Sequence, residues 1–500
     1  MRTFTRSAIA FSYNGRRVDG QEGDTVASAL YAAGVRIFSR SFQFHRPRGL
    51  SCVNGRCGNC AVRVNGLPNL RACAVRLEAG MVVQSQAAWP SMRFDLWRTL
   101  DHLTFLFPPG FVYRYFITPR WAFRIWERML RHVAAHAAVP SPADAKAPPA
   151  RCLKETADVV VVGGGPAGLS AALAAGRQGL RVTLIDEDTE LGGGLQLDRN
   201  TERLAGRPAP DVLATLVREV TALPNVTLHL GTQCFAYYGN TPVCAFRDNT
   251  LIEITARAVV IATGAHERPM VFANNDLPGV FLSTGALRLL HRFGVRPGQR
   301  AVVATATEFG MTAAAALLDA GLRVEAVLNQ QAGGPPSATR ERLRQRGVRI
   351  LDGYRLDEAH GRGRLRAITA VPAGGSGNGA APRGARRFSC DVLVTSGGFH
   401  PANELSFQAT SHGNYVLEGA GGWVSLAQGE RPILTQDGTP LFVAGNAASI
   451  GSVDKARHEG RVAGLAAAVE ITGGNETLAR ELRDARAVLH RGPGGPEGKG

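Results

Sequence analysis

The sequence predicts an α/β chain in which two βαβ dinucleotide-binding units, the second inserted into the first, follow a small cysteine-bearing β domain. Three observations predict it. The order apolar strand, tight loop, alanine-rich helix, apolar strand begins at Val159 and again at Ala301. A strand, an Asn14-Gly15 turn, a second strand and a helix occupy Phe11 to Ala33. Four of the eight cysteines follow directly, between Cys52 and Cys73.

Composition removes several function classes. Five hundred residues, 45% hydrophobic and 20% charged, suit about three globular domains and exclude a disordered chain. The formal charge is +16, yet Lys146, Lys154, Lys455 and Lys499 are the only lysines, and the arginines are scattered. A nucleic-acid footprint needs clustered cations, so nucleic acid is not an expected partner. No run reaches the roughly 18 apolar residues of a membrane helix, and Met1 to Arg17 lacks a signal-peptide core. The expected location is the cytoplasm, away from membranes, where cysteines stay reduced.

In the small domain, expected over residues 1–88, Asp24 or Thr25 caps the helix that Gly34 ends, and Asn65-Gly66 marks a second hairpin before Cys73. The spacing Cys52-x4-Cys57-x2-Cys60-x12-Cys73 puts three thiols in one loop and a fourth on a later strand. This is the plant-type ferredoxin loop pattern for a [2Fe-2S] cluster, hence a ferredoxin-like β-grasp domain; a four-thiolate zinc site would have two paired C-x2-C motifs. Gly55 and Gly58 let backbone N–H groups approach the sulfurs, and Arg48, Arg56 and Arg63 favour thiolates. Cys152, Cys234, Cys244 and Cys390 are isolated and are expected in the core.

Residues 89–154 form an aromatic helical connector, expected to pack on a neighbouring domain or subunit, which ends in the linker Pro140–Ala150. The first part of a Rossmann-like domain spans 155–270. Gly163, Gly165 and Gly168 fit G-x-G-x-x-G between strand and helix, and Pro166 and Ala167 complete the loop. The helix N-terminus stabilises a pyrophosphate, and Asp186, with Glu187, ends the next strand where a ribose is read. Gly193 completes this group. Two strands ending in Ala262-Thr263-Gly264 and in Gly445-Asn446 resemble the Ala-Thr-Gly and Gly-Asp elements of two-dinucleotide-binding-domain flavoproteins, which makes the nucleotide FAD. Asn446 stands for the usual Asp, and its amide can still bond a ribityl hydroxyl.

The inserted unit is expected over 271–389, the second part of the FAD domain over 390–485, and a flexible tail over 486–500. Within the insert the glycine fingerprint becomes Thr305-x-Thr307-x-x-Gly310, with Glu308 in the loop and Asn329 at the adenosine-reading position. Branched side chains and a carboxylate oppose a pyrophosphate, so NAD(P) is a doubtful ligand here. Ala373–Arg387 reads as a mobile loop.

The order of a four-cysteine domain with Phe44-His45-Arg46-Pro47-Arg48-Gly49 and Pro68-Asn69-Leu70-Arg71-Ala72-Cys73, an aromatic connector and an FAD domain resembles the N-terminal half of the sarcosine oxidase alpha subunit. It also resembles fused small and middle subunits of hydrogen cyanide synthase and of opine or hydroxyproline dehydrogenases. The likeness runs from about residue 8 to 470. It implies an electron-transfer subunit that takes electrons from a beta-type flavoprotein oxidising an amine or amino acid. Sarcosine oxidase alpha chains continue into a folate-binding half; this sequence ends at Gly500, so folate coupling is not expected.

No acid/base pair stands out. His45, His266 and His458 read as structural, and Glu267 and Arg268 are placed to line the flavin ring. Two other readings compete: a self-contained NAD(P)H-dependent reductase, and a non-enzymatic iron-sulfur scaffold or sensor. A disulfide reductase is excluded because no cysteine lies between Cys152 and Cys234.

Overall fold

A computed structural model of the chain describes residues 2–103, 110, 118–133, 151–197, 203–204, 207–331, 333, 337–374, 384–410, 415–418, 423–426, 433–435 and 437–491. The expected linker Pro140–Ala150, the last residues Gly492–Gly500 and most of the loop Ala373–Arg387 lie outside the described residues. The chain divides into two units, Met1–Lys146 with Glu267–Gly398, and Ala147–His266 with Phe399–Gly500.

The first unit opens with a five-stranded sheet in the order Arg16–Gln21, Ala8–Tyr13, Val82–Gln84, Ala61–Val64, Leu67–Arg71. Asn14, Gly15, Asn65 and Gly66 all take positive φ, the twist that two-residue hairpins need, so both turns join antiparallel neighbours. The first and last strands pair in parallel, Ser12 with Val82, which completes the β-grasp. The helix Val26–Ala32 lies close on this sheet: a Cβ at Gly20 would meet the Ala29 Cβ at 2.9 Å. Thr25, not Asp24, caps it. Ser28 N–H donates to Thr25 Oγ1 (3.2 Å) and Thr25 N–H to Ser28 Oγ (3.0 Å), while Asp24 accepts from Arg2 and Ser28.

The start of the aromatic connector is fastened to this domain. Asp95 is buried, with Oδ2 2.7 Å from His45 Nδ1 and 3.7 Å from Arg40 Nε. Its Oδ1 accepts from Trp89 N–H and Trp97 N–H at 3.3 and 3.2 Å. Arg40 is buried too and donates to the carbonyls of His45 and Met92. His45 is therefore structural. Further on, the helix Arg120–Val133 leaves Trp121 and Ile125 exposed on this chain.

The second half of the first unit is a parallel sheet in the order Val280–Leu282, Val392–Ser396, Arg300–Thr305, Arg323–Asn329, Arg349–Asp352. Its buried strands read as unbroken apolar runs because helices cover the faces. Val392–Ser396 lies beyond the expected border at 389, yet it pairs with Ala301–Thr305 and belongs to this sheet. A three-stranded antiparallel sheet, Tyr354–His360, Ala367–Pro372 and Arg386–Ser389, completes the domain.

The second unit is built on the long strands Arg151–Val162 and Thr250–Ile261. The first starts eight residues before the apolar run at Val159 because the mostly exposed segment Arg151–Thr156 pairs with Thr250–Thr255. Val182–Asp186 and Val226–Leu230 extend the sheet on one side. On the other side Pro440–Val443 pairs in parallel with the last residues of Thr250–Ile261. Cysteine placement differs from expectation: Cys390 is buried, Cys234 and Cys244 are half-buried, and Cys152 is exposed at the strand start. No helix among the described residues is long and apolar enough to cross a membrane.

Candidate cluster and flavin sites

Cys52, Cys57, Cys60 and Cys73 converge. The Sγ atoms of Cys52 and Cys57 are 3.2 Å apart, and those of Cys60 and Cys73 are 3.4 Å apart. Cys73 lies two residues beyond the strand Leu67–Arg71, in the turn after it, rather than on a strand. Gly55 and Gly58 take φ of +80° and +69°, values that a residue with Cβ rarely adopts. The loop they bend aims backbone donors at sulfur: Gly55 N–H reaches Cys73 Sγ at 3.1 Å and Cys57 N–H reaches Cys52 Sγ at 3.3 Å. Sulfur-to-sulfur hydrogen bonds hold the Cys52 and Cys60 thiols below the usual range and push Cys57 and Cys73 above it. Four crowded thiols with inward N–H groups fit a cluster whose iron neutralises them.

Two of the three expected arginines serve otherwise. Arg48 pairs with Asp276 at 3.2 Å and Arg63 donates to the carbonyl of Gly66. Arg71, which sequence reasoning passed over, donates to the carbonyl of Gly55 and pins the cysteine loop.

The cysteine loop is seated on the parallel-sheet domain of the same unit. Leu282 N–H donates to Ser51 O at 3.2 Å, and a Cβ at Gly285 would lie 2.1 Å from that oxygen. Glu267 secures the seat: Ser283 and Thr284 hydroxyls and Thr284 N–H all donate to its buried carboxylate, at the start of the helix Ser283–His291. Burial raises its pKa. Glu267 is thus a helix-capping residue, which corrects its expected place along a flavin ring. The Phe44–Gly49 segment is the strap beside this seat. Arg46 bonds Asn274 (2.7 Å) and Asp276 (3.1 Å), and Gly49 lies where a Cβ would meet Pro278 Cα at 2.8 Å. A Gly285→Val variant is expected to lose iron and sulfide while keeping its flavin, measured as metal, sulfide and FAD content of purified protein.

In the second unit the ends of three parallel strands bring together Gly163, Ala262-Thr263-Gly264 and Gly445-Asn446. Gly163 has φ +107°, and its Cβ would meet Ala262 O at 2.3 Å. A Cβ at Gly168 would meet Gly163 O at 1.7 Å, so helix and loop touch backbone to backbone. At Gly165 the nearest heavy atom would be 3.9 Å away, leaving space over the N-terminus of helix Pro166–Arg177. Gly193, with φ +52°, packs against Gly165, and Gly192 N–H donates to Gly164 O. Asp186 accepts from Gly164 N–H (2.5 Å) and Asp188 N–H (2.7 Å). Burial lifts its pKa to about 6 against those two bonds, with the charges of Asp188 and Glu187 adding to the rise.

Thr263 Oγ1 donates to Ala402 O at 2.5 Å, and Ala402 N–H donates to Gly264 O. Asn446 Oδ1 accepts from Gly451 N–H at 3.0 Å, so any donation to a ligand falls to its amide N–H groups. His266 is bonded to exposed Glu404 at 3.0 Å and stacks edge-on with His400. Burial and Arg457 lower the pKa of half-buried His458.

Three residues of this site escaped sequence reasoning. Glu459 is buried, and its Oε2 accepts the Gly445 N–H at 2.8 Å. Gly460 and Gly464 let the helix Val453–Thr472 touch the phosphate-loop helix, since Cβ atoms there would lie 2.0 and 2.3 Å from Ala167 O and Ala171 O. Their spacing of four, one face of one helix, was the available signal.

The second dinucleotide loop is filled from within. Thr305 Oγ1 donates to Thr307 O (2.6 Å) and accepts Thr307 N–H (2.9 Å), and Thr307 Oγ1 lies 3.1 Å from Ser396 Oγ. Asn329 turns inward, donating to Gln331 O and Asp352. Two branched, bonded side chains stand where the fingerprint glycines would lie.

With this geometry, the chain belongs to the pyridine nucleotide-disulphide oxidoreductase family, which matches residues 157–460, and a 2Fe-2S iron-sulfur cluster binding domain matches residues 6–88. It is an oxidoreductase whose cofactors are FAD and a [2Fe-2S] cluster. More particularly, it is similar to the sarcosine oxidase alpha subunit of Rhizobium meliloti, 33% identical over 420 residues, 80% of this chain and 40% of that one. The chain thus spans less than half the length of that relative. A hydrogen cyanide synthase subunit of Pseudomonas protegens is 27% identical over 342 residues, 61% of this chain and 69% of that one. The crystal structure of L-proline dehydrogenase from P. horikoshii has the same fold, with TM-score 0.65, 20% identity and coverage of 97% of this chain and 79% of that one.

Proposed function

We propose that this chain is the alpha-type electron-transfer subunit of a heteromeric amine or amino-acid oxidase or dehydrogenase, working in the cytoplasm. A beta-type flavoprotein partner oxidises a substrate C–N bond, and the two electrons pass through this chain to an acceptor. One observation carries the reading. A converged four-thiol loop and an open flavin loop stand in one chain whose second dinucleotide loop is closed by Thr305, Thr307 and Ser396. The relatives, named as subunits of sarcosine oxidase and of hydrogen cyanide synthase, support a hetero-oligomer.

When bound, the cluster supplies one-electron and the flavin one- or two-electron chemistry, which matches single-electron transfer to a two-electron oxidation. Cys52, Cys57, Cys60 and Cys73 hold the irons. Gly55 and Cys57 N–H groups stabilise negative charge on the sulfurs. The helix start at Gly165, Pro166 and Ala167 receives the pyrophosphate, Asp186 with Glu187 orients the ribose, and Asn446 donates to the ribityl chain. Gly193, Ala262, Thr263, Gly264 and Gly445 shape the space around it.

A ribose hydroxyl donates more strongly to the ionised than to the protonated carboxyl of Asp186, whose pKa burial lifts to about 6. FAD affinity is therefore held above pH 6 and falls as pH drops through it, by at most about tenfold per unit. Fluorescence titration of the apoprotein between pH 5 and pH 8, taken as roughly one unit below and two above, checks this. Asp186→Asn is expected to flatten the profile.

Anaerobic stopped-flow mixing tests the function. In the complex with its co-expressed neighbour, an amine or amino acid from a panel of secondary amines is expected to bleach the flavin of this chain, and NADH alone is not. Rapid bleaching of the isolated chain by NADH would overturn the reading.

A further inference from the structure

A cavity of about 450 Å3 opens within the first unit, where the end of the helix of the cysteine domain meets the parallel-sheet domain. Arg300 begins one strand of that sheet, and Asp391 directly precedes another. Dinucleotides bind beyond the carboxyl ends of such strands, where Thr305 and Ser396 lie. The cavity is at the opposite edge, so it is separate from the closed nicotinamide loop.

Its charge is unbalanced. Arg36, Arg300, Arg364 and Arg366 line it beside one carboxylate, Asp391. That carboxylate is directed at backbone, accepting Gln299 N–H and Arg300 N–H at 2.7 to 3.1 Å. Glu325 neutralises Arg300 at 3.0 Å. Arg36 is held in place over the Tyr31 ring, 3.9 Å from its centroid, and donates to Tyr31 O at 2.6 Å. Tyr31 is itself buried and fixed to Pro297 O. Arg364 and Arg366 are exposed and make no ion pair among the described residues. Elsewhere in this unit arginines find carboxylates: Arg2 with Asp24, Arg48 with Asp276, Arg342 with Asp319. Like charges gathered at a concave surface raise the local potential and attract an anion.

We propose that this cavity binds a small, multiply charged anion, a metabolite bearing phosphate or carboxylate groups, held by the Arg364 and Arg366 guanidiniums with Arg36 behind them. The planar fork of guanidinium suits both groups, and the volume suits a small molecule rather than a polymer. Because its walls come from the cysteine domain and the parallel-sheet domain together, an occupant bridges the two.

Calorimetric titration of the cofactor-loaded full chain at fixed ionic strength, with inorganic pyrophosphate and separately with citrate, tests the site. Saturable binding of at least one probe is expected, weakened tenfold or more in an Arg364→Ala/Arg366→Ala double variant that retains its iron and FAD. Pyrophosphate alone binding identifies a phosphate-bearing ligand, and citrate alone a carboxylate-bearing one. The proposal is overturned if neither probe saturates, or if the double variant binds as tightly as the wild type.

Discussion

An Asp95→Ala variant is expected to lose about 3–5 kcal/mol of stability in the cysteine domain, the cost of removing one partner from a buried charged group. Asp95 faces two buried side chains, His45 at 2.7 Å and Arg40 at 3.7 Å. Arg40 has no water to turn to, since it is 4% exposed. Burial already disfavours its charged form, and the Asp95 charge opposes that shift. Without the carboxylate, a desolvated guanidinium remains, and Trp89 N–H and Trp97 N–H lose their acceptor. Urea unfolding followed at the cluster absorbance should shift to lower urea, while the flavin transition stays near the wild-type midpoint. Coincident, unshifted transitions would show that the Asp95 network does not hold this domain together.

Gly168→Ala is expected to abolish FAD retention. The new methyl would stand 1.7 Å from the Gly163 carbonyl, and this carbonyl cannot swing aside. It belongs to a loop whose φ of +107° and whose contact with Ala262 O already fix it. The phosphate-loop helix is held as well by the helix that Gly460 and Gly464 bring against Ala167 and Ala171. Overpacking typically costs about 1–3 kcal/mol where side chains can yield, and here backbone opposes backbone. The flavin-to-protein absorbance ratio after gel filtration reads the effect. Gly165→Ala, with 3.9 Å of room among protein atoms, should fold as the wild type does and still weaken FAD binding, because its methyl enters the space left for the pyrophosphate.

The cluster and flavin motifs were legible in the sequence because both chemistries need residues close together along the chain. Cys52, Cys57 and Cys60 share one loop, and Gly163 to Gly168 share one strand–helix turn. What was not legible depends on distant segments meeting. Glu267 reads as a flavin neighbour when only its place after Ala-Thr-Gly is known, yet its carboxylate caps a helix that begins 16 residues later. Arg48 beside the cysteines reads as their counter-charge, yet Asp276 takes it. The expected border at 389 lay just past the Gly-, Ala- and Arg-rich stretch Ala373–Arg387, whereas strand pairing carries the inserted sheet on to Ser396. Asp95 lay in a stretch dominated by aromatic residues, and nothing local marks it as the partner of His45.

Chemical analysis of the anaerobically purified chain tests the central claim most directly. About two irons and two acid-labile sulfides per chain are expected, together with one releasable FAD. Zinc in place of iron, with no sulfide and no flavin, would contradict it.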